Sequence, residues 1–470
     1  MISREELLEE ARALGVTVSD IIVLANQNDP FYTGTPTQIE HAEWFAAMWD
    51  KGGYTGRKGI HLRRVHYKIA TMEEDIKLPS VLRWKKEDVW HETDVYVNEK
   101  SCWKFMLNAG RFARYLGLVP LDAFIDKRNP DPVIYTEWDE SAGPSSEITG
   151  EWNSYDYHLE LPELVGLPYS LPELPRLSAG GYDEIQQGYH VEIWCEKSGM
   201  NEELIPICRE YGVNLIIGLG HMSITSVCNF MERVRSANRP GRILYISDYD
   251  KKGREMPVAV ARKIEWLQHK GFYGDLDIIV EPIVLTLDQV NEYSLPHKYT
   301  TKEKDWIVEL DALAALREGE FERIVEDSVK RYYDPDLRKK AWEVDKDLQF
   351  ELDRIGRDIL RGPSDDMTDL DKEYKELLED YNKTREEFGE FVSGFSPQLE
   401  EYKERLNDIV ERAESVYTMA YTDLEGVEVP LNEYPFPDPE VEGEVENPLY
   451  DWRRDYWDQL KAYKNNKEVE

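Results

Sequence analysis

The sequence predicts an α/β plus α+β protein: a helical module with a small β wing, a mainly parallel α/β domain and a charged helical tail. Three observations support this fold class. Helical patterns flank a short β-prone stretch within residues 35–135, strands and helices alternate within residues 186–315, and residues 316–470 are helical, charged and interrupted by prolines. A chain of 470 residues is long enough for two or three such domains.

Residues 1–34 are predicted to form an N-terminal helix and arm, because Ser3 and Glu6 form a capping box before an amphipathic pattern. Residues 35–135 are predicted to form a winged-helix module, in which helices are followed by a small β wing. The predicted helices of this module cover residues 38–51, 60–70 and 101–116. Residues 136–185 are rich in proline, glycine, serine and acidic residues, which is typical of a connector.

Residues 186–315 contain four apolar segments that are predicted to be strands: HVEIWCE, VNLIIGLG, RILYIS and DIIVEPIVL. Helical patterns separate them, at residues 201–211, 223–237 and 253–270. This alternation predicts right-handed crossovers and a mostly parallel sheet. In such a sheet, binding sites form where loops leave the carboxyl ends of the strands.

The charge of the chain is strongly negative but unevenly distributed. The 94 acidic and 57 basic residues give a net charge of -37, which alone argues against a nucleic-acid partner. Residues 365–470 contain 31 acidic and 12 basic residues, whereas residues 51–128 contain 16 basic and 10 acidic residues. The acidic tail is therefore interpreted as a solvated appendage. Two alternatives are that the tail competes with DNA for the basic segment or that it docks a partner.

The cysteine pattern favours a reducing, cytoplasmic location. The four cysteines have neither the pair spacing of a zinc site nor the density of a disulfide framework. The N-terminal residues do not resemble a signal peptide, and no apolar run is long enough to span a bilayer. We therefore expect a cytoplasmic protein without a membrane partner.

Acidic residues follow two of the predicted strands. Glu196 ends the segment HVEIWCE, and Asp248 and Asp250 follow RILYIS. If the two strands are neighbours, three carboxylates meet in one crevice and repel one another unless a cation holds them. Carboxylate oxygens, water and phosphate are suitable ligands for Mg²⁺. The alternative is that an aspartate at a strand-to-helix turn only caps the helix.

The stretch GRKGIHLRRVHYKIA is basic and contains a tyrosine. On a helix, Leu62, Val65 and Ile69 form one apolar stripe, and Tyr67 lies nearly opposite to it, one turn after Arg63. A phenolate favoured by neighbouring cations can attack phosphorus. The alternative is an ordinary exposed tyrosine on a charged helix.

The basic residues of this segment are candidates for DNA binding. Arg57, Lys58, Arg64 and Lys68 accompany Tyr67, and a second stripe repeats with helical spacing on residues 101–116. The second stripe consists of Lys104, Asn108, Arg111 and Tyr115. Both sets could follow a phosphate backbone, and the alternative is a merely solvated helix face.

The strand-end motifs resemble those of the Toprim domain of topoisomerases, primases and related nucleases. The similarity is carried by CEKSG and, about fifty residues later, ISDYDKKG. It implies a parallel α/β fold in which Glu196, Asp248 and Asp250 bind Mg²⁺ and Glu196 takes part in proton transfer. The segment VELDAL also resembles one that follows the Toprim core, but no role is assigned to its Glu309 or Asp311.

The segment LRRVHY resembles the Arg-x-hydrophobic-aromatic-Tyr motif of the A subunit of topoisomerase VI and of its relatives that make meiotic DNA breaks. The resemblance implies that Arg63 is the motif arginine and Tyr67 the nucleophile. Two positions depart from the pattern, because His66 replaces a tyrosine or phenylalanine and Arg64 stands where an acid is frequent. In that family the tyrosine of one protomer works with the metal of the other, which implies a homodimer.

Three functions remain open from the sequence. The first is cleavage and rejoining of DNA by tyrosine transesterification. Since no nucleotide-binding loop is present, ATP-driven strand passage would require a separate B-type ATPase subunit, and without one the protein would break DNA on its own. The second is a metal-dependent Toprim nuclease in which water attacks and Tyr67 is incidental. The third is a non-catalytic DNA-binding or assembly protein on the same scaffold.

Overall fold

A computed structural model describes residues 4–26, 28–125, 129–136, 143–159, 166–218, 220–300, 305–387 and 396–467. The predicted capping residue Ser3 lies outside these described residues. The protein is a mixed α/β structure whose contacts divide the chain into two units. The first unit comprises Met1–Trp138, Gln187–Asp334 and Glu440–Glu470, and the second comprises Asp139–Gln186 and Pro335–Pro439.

The α-helices of the described residues are α1 (Arg4–Leu14), α2 (Pro36–Lys51), α3 (Leu62–Ala70), α4 (Lys100–Tyr115), α5 (Asn201–Tyr211), α6 (Ile224–Ala237), α7 (Lys251–His269), α8 (Leu287–Glu292), α9 (Leu310–Leu316), α10 (Glu320–Lys330), α11 (Leu337–Ile359), α12 (Arg361–Glu387), α13 (Ser396–Glu425) and α14 (Tyr456–Lys467). A search of the same residues finds no helix with the length and apolar character needed to cross a lipid bilayer.

The strands are β1 (Lys77–Lys86), β2 (Val89–Val95), β3 (Ser145–Thr149), β4 (Arg176–Gly180), β5 (His190–Cys195), β6 (Asn214–Ile217), β7 (Gly241–Ile246), β8 (Ile278–Val284), β9 (Lys298–Thr300), β10 (Asp305–Ile307) and β11 (Tyr450–Asp451). The largest sheet has the order β11-β8-β7-β5-β6, and β1 with β2, β3 with β4 and β9 with β10 form antiparallel pairs.

The N-terminal part of the first unit consists of helices around a small hairpin. Thr35 and Gln38 form a capping box at the start of α2, and Pro36 occupies its first turn. Strands β1 and β2 pair in an antiparallel way across Glu87 and Asp88, which both have positive φ angles. The three predicted helices and the β-prone stretch between the last two are therefore confirmed as elements.

The main sheet is mostly parallel, as the alternating pattern predicted. Strands β5, β6, β7 and β8 pair in parallel, and β11 adds an antiparallel edge. Every residue of β5, β6 and β7 is buried, because helices cover both faces of the sheet. Near-continuous apolar runs such as those of β5 and β7 are typical of strands buried in this way.

The C-terminal residues return to the first unit. Strand β11 pairs with β8, and α14 packs against α7. The fully buried Arg262 of α7 joins this segment to the N-terminal arm: it donates hydrogen bonds to Asp29 at 3.2 Å, Glu265 at 2.8 Å and the Tyr456 hydroxyl at 2.7 Å. The predicted tail, residues 316–470, is thus divided between the two units.

The second unit combines the predicted connector with part of the predicted tail. Strands β3 and β4 pair with Ser145 opposite Gly180 and Thr149 opposite Arg176. Helices α12 and α13 pack together, and α11 contacts β4. Apolar side chains from the strand region and the helices share two cores, so the described parts of the predicted connector, residues 143–159 and 166–185, belong to a folded unit.

Replacement of Arg262 by methionine tests the buried network. Arg262→Met leaves the carboxylates of Asp29 and Glu265 buried without their cation, so the free energy of unfolding should fall by about 3–5 kcal/mol. The matched control is Arg354→Met, because Arg354 pairs with Glu351 and Asp358 on an exposed face of α11, where the loss should be about 0–1 kcal/mol. Urea unfolding followed by tryptophan fluorescence measures both, and equal losses would contradict the role of the network.

Candidate active site at the strand ends

Glu196 and Asp248 emerge from neighbouring strands at the same edge of the sheet. Cys195 of β5 pairs with Ile246 of β7, and the Glu196 amide donates a hydrogen bond to the Ile246 carbonyl oxygen at 3.2 Å. The condition set by the sequence, that the two strands are adjacent, is therefore met. Because the strands are parallel, the residues that follow them leave in the same direction.

Asp248 and Asp250 have different surroundings. Asp248 is buried, and its Oδ1 accepts a hydrogen bond from the Leu310 amide at 2.7 Å. Asp250 caps α7, since its Oδ1 accepts from the Gly253 amide at 2.7 Å. A Cβ atom at Gly253 would clash with the backbone of Asp248, so glycine permits this tight turn. The capping alternative thus describes Asp250, while Asp248 faces the interior.

A second chain segment brings two more acids to the strand ends. Tyr249 and Val308 exchange backbone hydrogen bonds of 2.9 and 3.0 Å, and α9 begins directly afterwards. This bridge places Glu309 and Asp311 beside Asp248, because all three contact one lysine. The acidic cluster is defined as Glu196, Asp248, Asp250, Glu309 and Asp311.

Lys197 supplies positive charge to the acidic cluster. Its Nζ lies 2.9 Å from Asp248 Oδ1 and 3.1 Å from Asp311 Oδ2, and it also pairs with Glu309. Burial disfavours the charged form, but hydrogen bonds to these carboxylates outweigh burial and raise the pKa of Lys197. Lys197 was not predicted as a site residue, although it follows Glu196 directly in the CEKSG motif.

The repulsion within the acidic cluster changes the pKa of Glu196. Burial, followed by the negative charges of Asp248 and Asp250, raises the pKa of Glu196 to about 8. Its Oε2 atom is buried and has no hydrogen-bond partner. A carboxyl group with this pKa is largely protonated at neutral pH and can act as a general acid or, once ionised, as a base.

The donor set suits a hard cation, although the side chains are not arranged as a finished metal site. Within the described ranges, no group of three or more His, Cys, Asp or Glu side chains is positioned to hold a metal ion. The buried Glu196 oxygen without a partner and the adjacent Asp248 carboxylate are nevertheless the kind of ligands that Mg²⁺ prefers. As placed, the three predicted ligands do not form a magnesium site: Asp248 contacts the Lys197 ammonium and Asp250 caps α7, so Glu196, Asp248 and Asp250 would have to rearrange to hold a magnesium ion.

Tyr67 lies on the solvent face of α3. Val65 and Ile69 are buried, and 52% of the Tyr67 side chain is exposed, as the helical spacing predicted. Arg63, Arg64 and Lys68 are also exposed, so the tyrosine is surrounded by cations on the same helix.

His66, the residue that departs from the family motif, has a structural position. It is buried between Tyr96 and Asn98: its Nδ1 is 2.6 Å from the Tyr96 hydroxyl oxygen and its Nε2 is 3.0 Å from Asn98 Oδ1. Its ring also makes edge-on contacts with Tyr96 and Trp103. His66 thus fills the aromatic slot beneath the helix.

The other predicted DNA-binding residues differ in exposure. Arg57, Lys58 and Lys104 are exposed, and Lys58 pairs with Asp122 at 2.6 Å. Arg111 is half-buried, and Tyr115 is buried against Trp266. The second stripe is therefore not a continuous solvated face, because its C-terminal end points into the interior.

A basic groove that the sequence analysis missed lies between the hairpin, α2 and α4. Its volume is about 700 Å³, and its basic lining residues are Arg83, Lys85, Lys100 and Lys104. None of the described residues that line it is acidic. The run RWKK in the sequence indicates a local concentration of basic residues. The groove itself forms only because β1 packs against α4, which is a tertiary contact.

Tyr67 and the acidic cluster are separate within one chain. Among the described residues, no hydrogen bond, ion pair or ring contact joins Tyr67 to Glu196, Asp248 or Asp250. The sequence matches no protein-family model and no curated protein. The function has to be inferred from the acidic cluster, Tyr67 and the basic groove.

The raised pKa of Glu196 predicts a pH dependence of stability. Between pH 4.5, the ordinary pKa of the side chain, and about pH 8, the folded protein keeps a proton that the unfolded chain has lost. Stability should therefore fall as the pH rises through this window. In EDTA, the melting temperature of the wild-type protein should decrease more between pH 5.5 and pH 8 than the melting temperature of Glu196→Gln does.

The control for this measurement is Glu404→Gln, which changes an exposed glutamate of α13. It should keep the wild-type difference in melting temperature between the two pH values. If Glu196→Gln behaves like Glu404→Gln, the Glu196 carboxyl does not titrate in this window.

Proposed function

We propose that this chain is a Mg²⁺-dependent, topoisomerase-like transesterase that cleaves and rejoins DNA through Tyr67 and is similar to the A subunit of topoisomerase VI. The observation that carries the proposal is the juxtaposition of the Glu196 and Asp248 carboxylates at the ends of β5 and β7. Repelling, partly buried acids at strand ends are costly for stability, and such groups are concentrated at functional sites.

The fold supports the domain assignments within this proposal. The order of α2, α3, the β1–β2 hairpin and α4 supports a winged-helix module in residues 35–135. The mostly parallel sheet with acids at its carboxyl edge supports a Toprim-type domain in residues 186–315.

DNA is the proposed substrate because exposed cations surround Tyr67 and the hairpin. Arg57, Arg64, Lys68 and Lys104 are available to phosphates, Lys58 is exposed but pairs with Asp122, and Arg111 lies further along α4. The basic groove adds Arg83, Lys85 and Lys100. Such contacts neutralise phosphates without reading bases, so they position a duplex against α3.

The proposed reaction is a reversible phosphoryl transfer. The Tyr67 oxygen attacks a backbone phosphorus and loses its proton to solvent, a tyrosyl–phosphate bond forms, and one deoxyribose oxygen leaves. The proton that the leaving oxygen takes comes from Glu196 when this carboxyl is protonated, and from solvent when Glu196 is ionised and holds the metal ion. Arg63 stabilises negative charge on the phosphate. Mg²⁺ bound by Glu196, Asp248 and Asp250 would neutralise the same charge. The reverse steps rejoin the strand.

The proposal includes partners. Because Tyr67 makes no contact with the acidic cluster of its own chain, a homodimer in which the tyrosine of one chain works with the cluster of the other completes the site. The absence of a nucleotide-binding loop from the sequence means that ATP-driven strand passage would need a separate B-type ATPase subunit. Four buried, free cysteines fit a reducing, cytoplasmic compartment.

A hydrolytic nuclease is the second candidate. It is favoured by the lack of a contact between Tyr67 and the acidic cluster, because attack by water needs no tyrosine and an ionised Glu196 can take the proton of that water. In this case Asp248 is essential and Tyr67 is not.

A trapping assay separates the candidates. End-labelled duplex DNA is mixed with the protein and Mg²⁺ and quenched with detergent. Wild type should carry covalently bound DNA, and Tyr67→Phe should reduce the adduct by roughly 10³-fold or more, because the attacking oxygen is lost. Tyr169→Phe is the matched control, since Tyr169 is also exposed, at 82%, and should leave the adduct unchanged.

The other outcomes of the assay are equally definite. If Tyr67→Phe cleaves DNA without forming an adduct and Asp248→Ala does not cleave it, the protein is a hydrolytic nuclease. An adduct that persists in Tyr67→Phe removes this residue from its role. DNA binding without cleavage in Mg²⁺ or Mn²⁺ identifies a non-catalytic protein.

A further inference from the structure

The first unit contains a second, cationic cavity that is distinct from the acidic cluster. Its volume is about 760 Å³, within the range of small-molecule sites, and it lies between α3 and α4 on one side and α6 and α7 on the other. The cations that line it are Arg63, Arg111, Arg114 and Lys263. Glu255 is the one acidic residue among its described lining residues, so the cavity carries an excess of positive charge.

Lys263 is the most informative of these cations. It is 9% exposed, and its Nζ donates to the carbonyl oxygen of Ala259 in its own helix at 2.8 Å. Within the described ranges it forms no ion pair with a carboxylate, because the nearby Asp29 is engaged by Arg262. A buried ammonium without a carboxylate partner is energetically unfavourable, so a bound anion would stabilise Lys263.

Arg111 is a second cation in the cavity that an anion would stabilise. Its Nη1 lies 3.3 Å from Asn28 Oδ1, while its Nε is buried and has no hydrogen-bond partner. Burial first, and the positive charge of Arg111 second, lower the pKa of Lys263 to about 8. The two cations therefore destabilise each other until an anion lies between them.

The rest of the lining indicates what carries the anion. The apolar side chains of Trp103, Leu107, Phe124 and Ile125 also line the cavity, beside the cations. Ile224 and Thr225, the first residues of the 14-residue helix α6, also line the cavity and add the positive end of a helix dipole. Because cations and aromatic or aliphatic side chains line the same cavity, its lining suits a ring attached to a phosphate.

We propose that this cavity binds a small organic phosphate of the nucleoside monophosphate class, with the phosphate held by Lys263 and Arg111. None of the residues of the acidic cluster lines the cavity, so the site is separate from the proposed metal centre. Arg63 and Arg111 line the cavity and also belong to the proposed transesterase, so the decisive variant is at Lys263, which has no part in that proposal.

The test uses the purified full chain and isothermal titration with the four ribonucleoside 5′-monophosphates, adenosine and inorganic phosphate. At least one nucleotide should bind with a Kd tenfold or more below that of adenosine. Lys263→Met should fold, because an apolar group replaces a buried charge, and should weaken this binding at least tenfold. Arg111→Gln should weaken it in the same direction.

The matched control is Lys270→Met, which removes an exposed lysine at the end of the same helix, outside the cavity, and should leave the Kd unchanged. Three results would overturn the proposal. The first is that no nucleotide binds at millimolar concentration. The second is that a nucleotide binds but Lys263→Met does not change its Kd. The third is that a short duplex DNA binds in a Lys263-dependent way while no mononucleotide binds.

Discussion

Repulsion between carboxylates at the ends of two adjacent parallel strands is the constraint on which the site depends. The pairing of Cys195 with Ile246 forces Glu196 and Asp248 to leave the sheet together. Burial strengthens the repulsion between their negative charges, and the pKa of Glu196 is raised as a result. Lys197 offsets part of the repulsion through Asp248, but it leaves one Glu196 oxygen without a partner. An arrangement that costs stability in this way is expected where chemistry, and not packing, determines the residues.

The elements that form this edge were predictable because their signals are local. Strands β5 and β7 are mainly apolar segments, although they include Glu192 and Arg242, and Asp250 with Gly253 marks a strand-to-helix turn. Adjacency of β5 and β7 remained conditional, since chain order permits several strand orders. Lys197, Glu309 and Asp311 were missed as a group, because their meeting depends on the bridge between Tyr249 and Val308, which are far apart in sequence.

Long-range contacts also explain why the predicted domain boundaries differ from the observed units. The acidic composition of residues 316–470 suggested one tail, but β11 is only two residues long and is defined by its pairing with β8. The partners that hold Arg262 come from both ends of the chain, and no periodic pattern reveals such a network. Helical spacing likewise identified the face of α4 that carries Arg111 and Tyr115, but not the neighbour that buries Tyr115.

The most direct test of the account is a crystal structure of the protein grown with Mn²⁺ as a substitute for Mg²⁺, with anomalous data collected at the manganese edge. The account predicts an anomalous peak in contact with carboxylate oxygens of both Glu196 and Asp248, with Lys197 Nζ moved away from Asp248. A cluster that holds no manganese at millimolar concentration, with Lys197 still bound to Asp248, would contradict it. So would manganese bound only elsewhere in the protein.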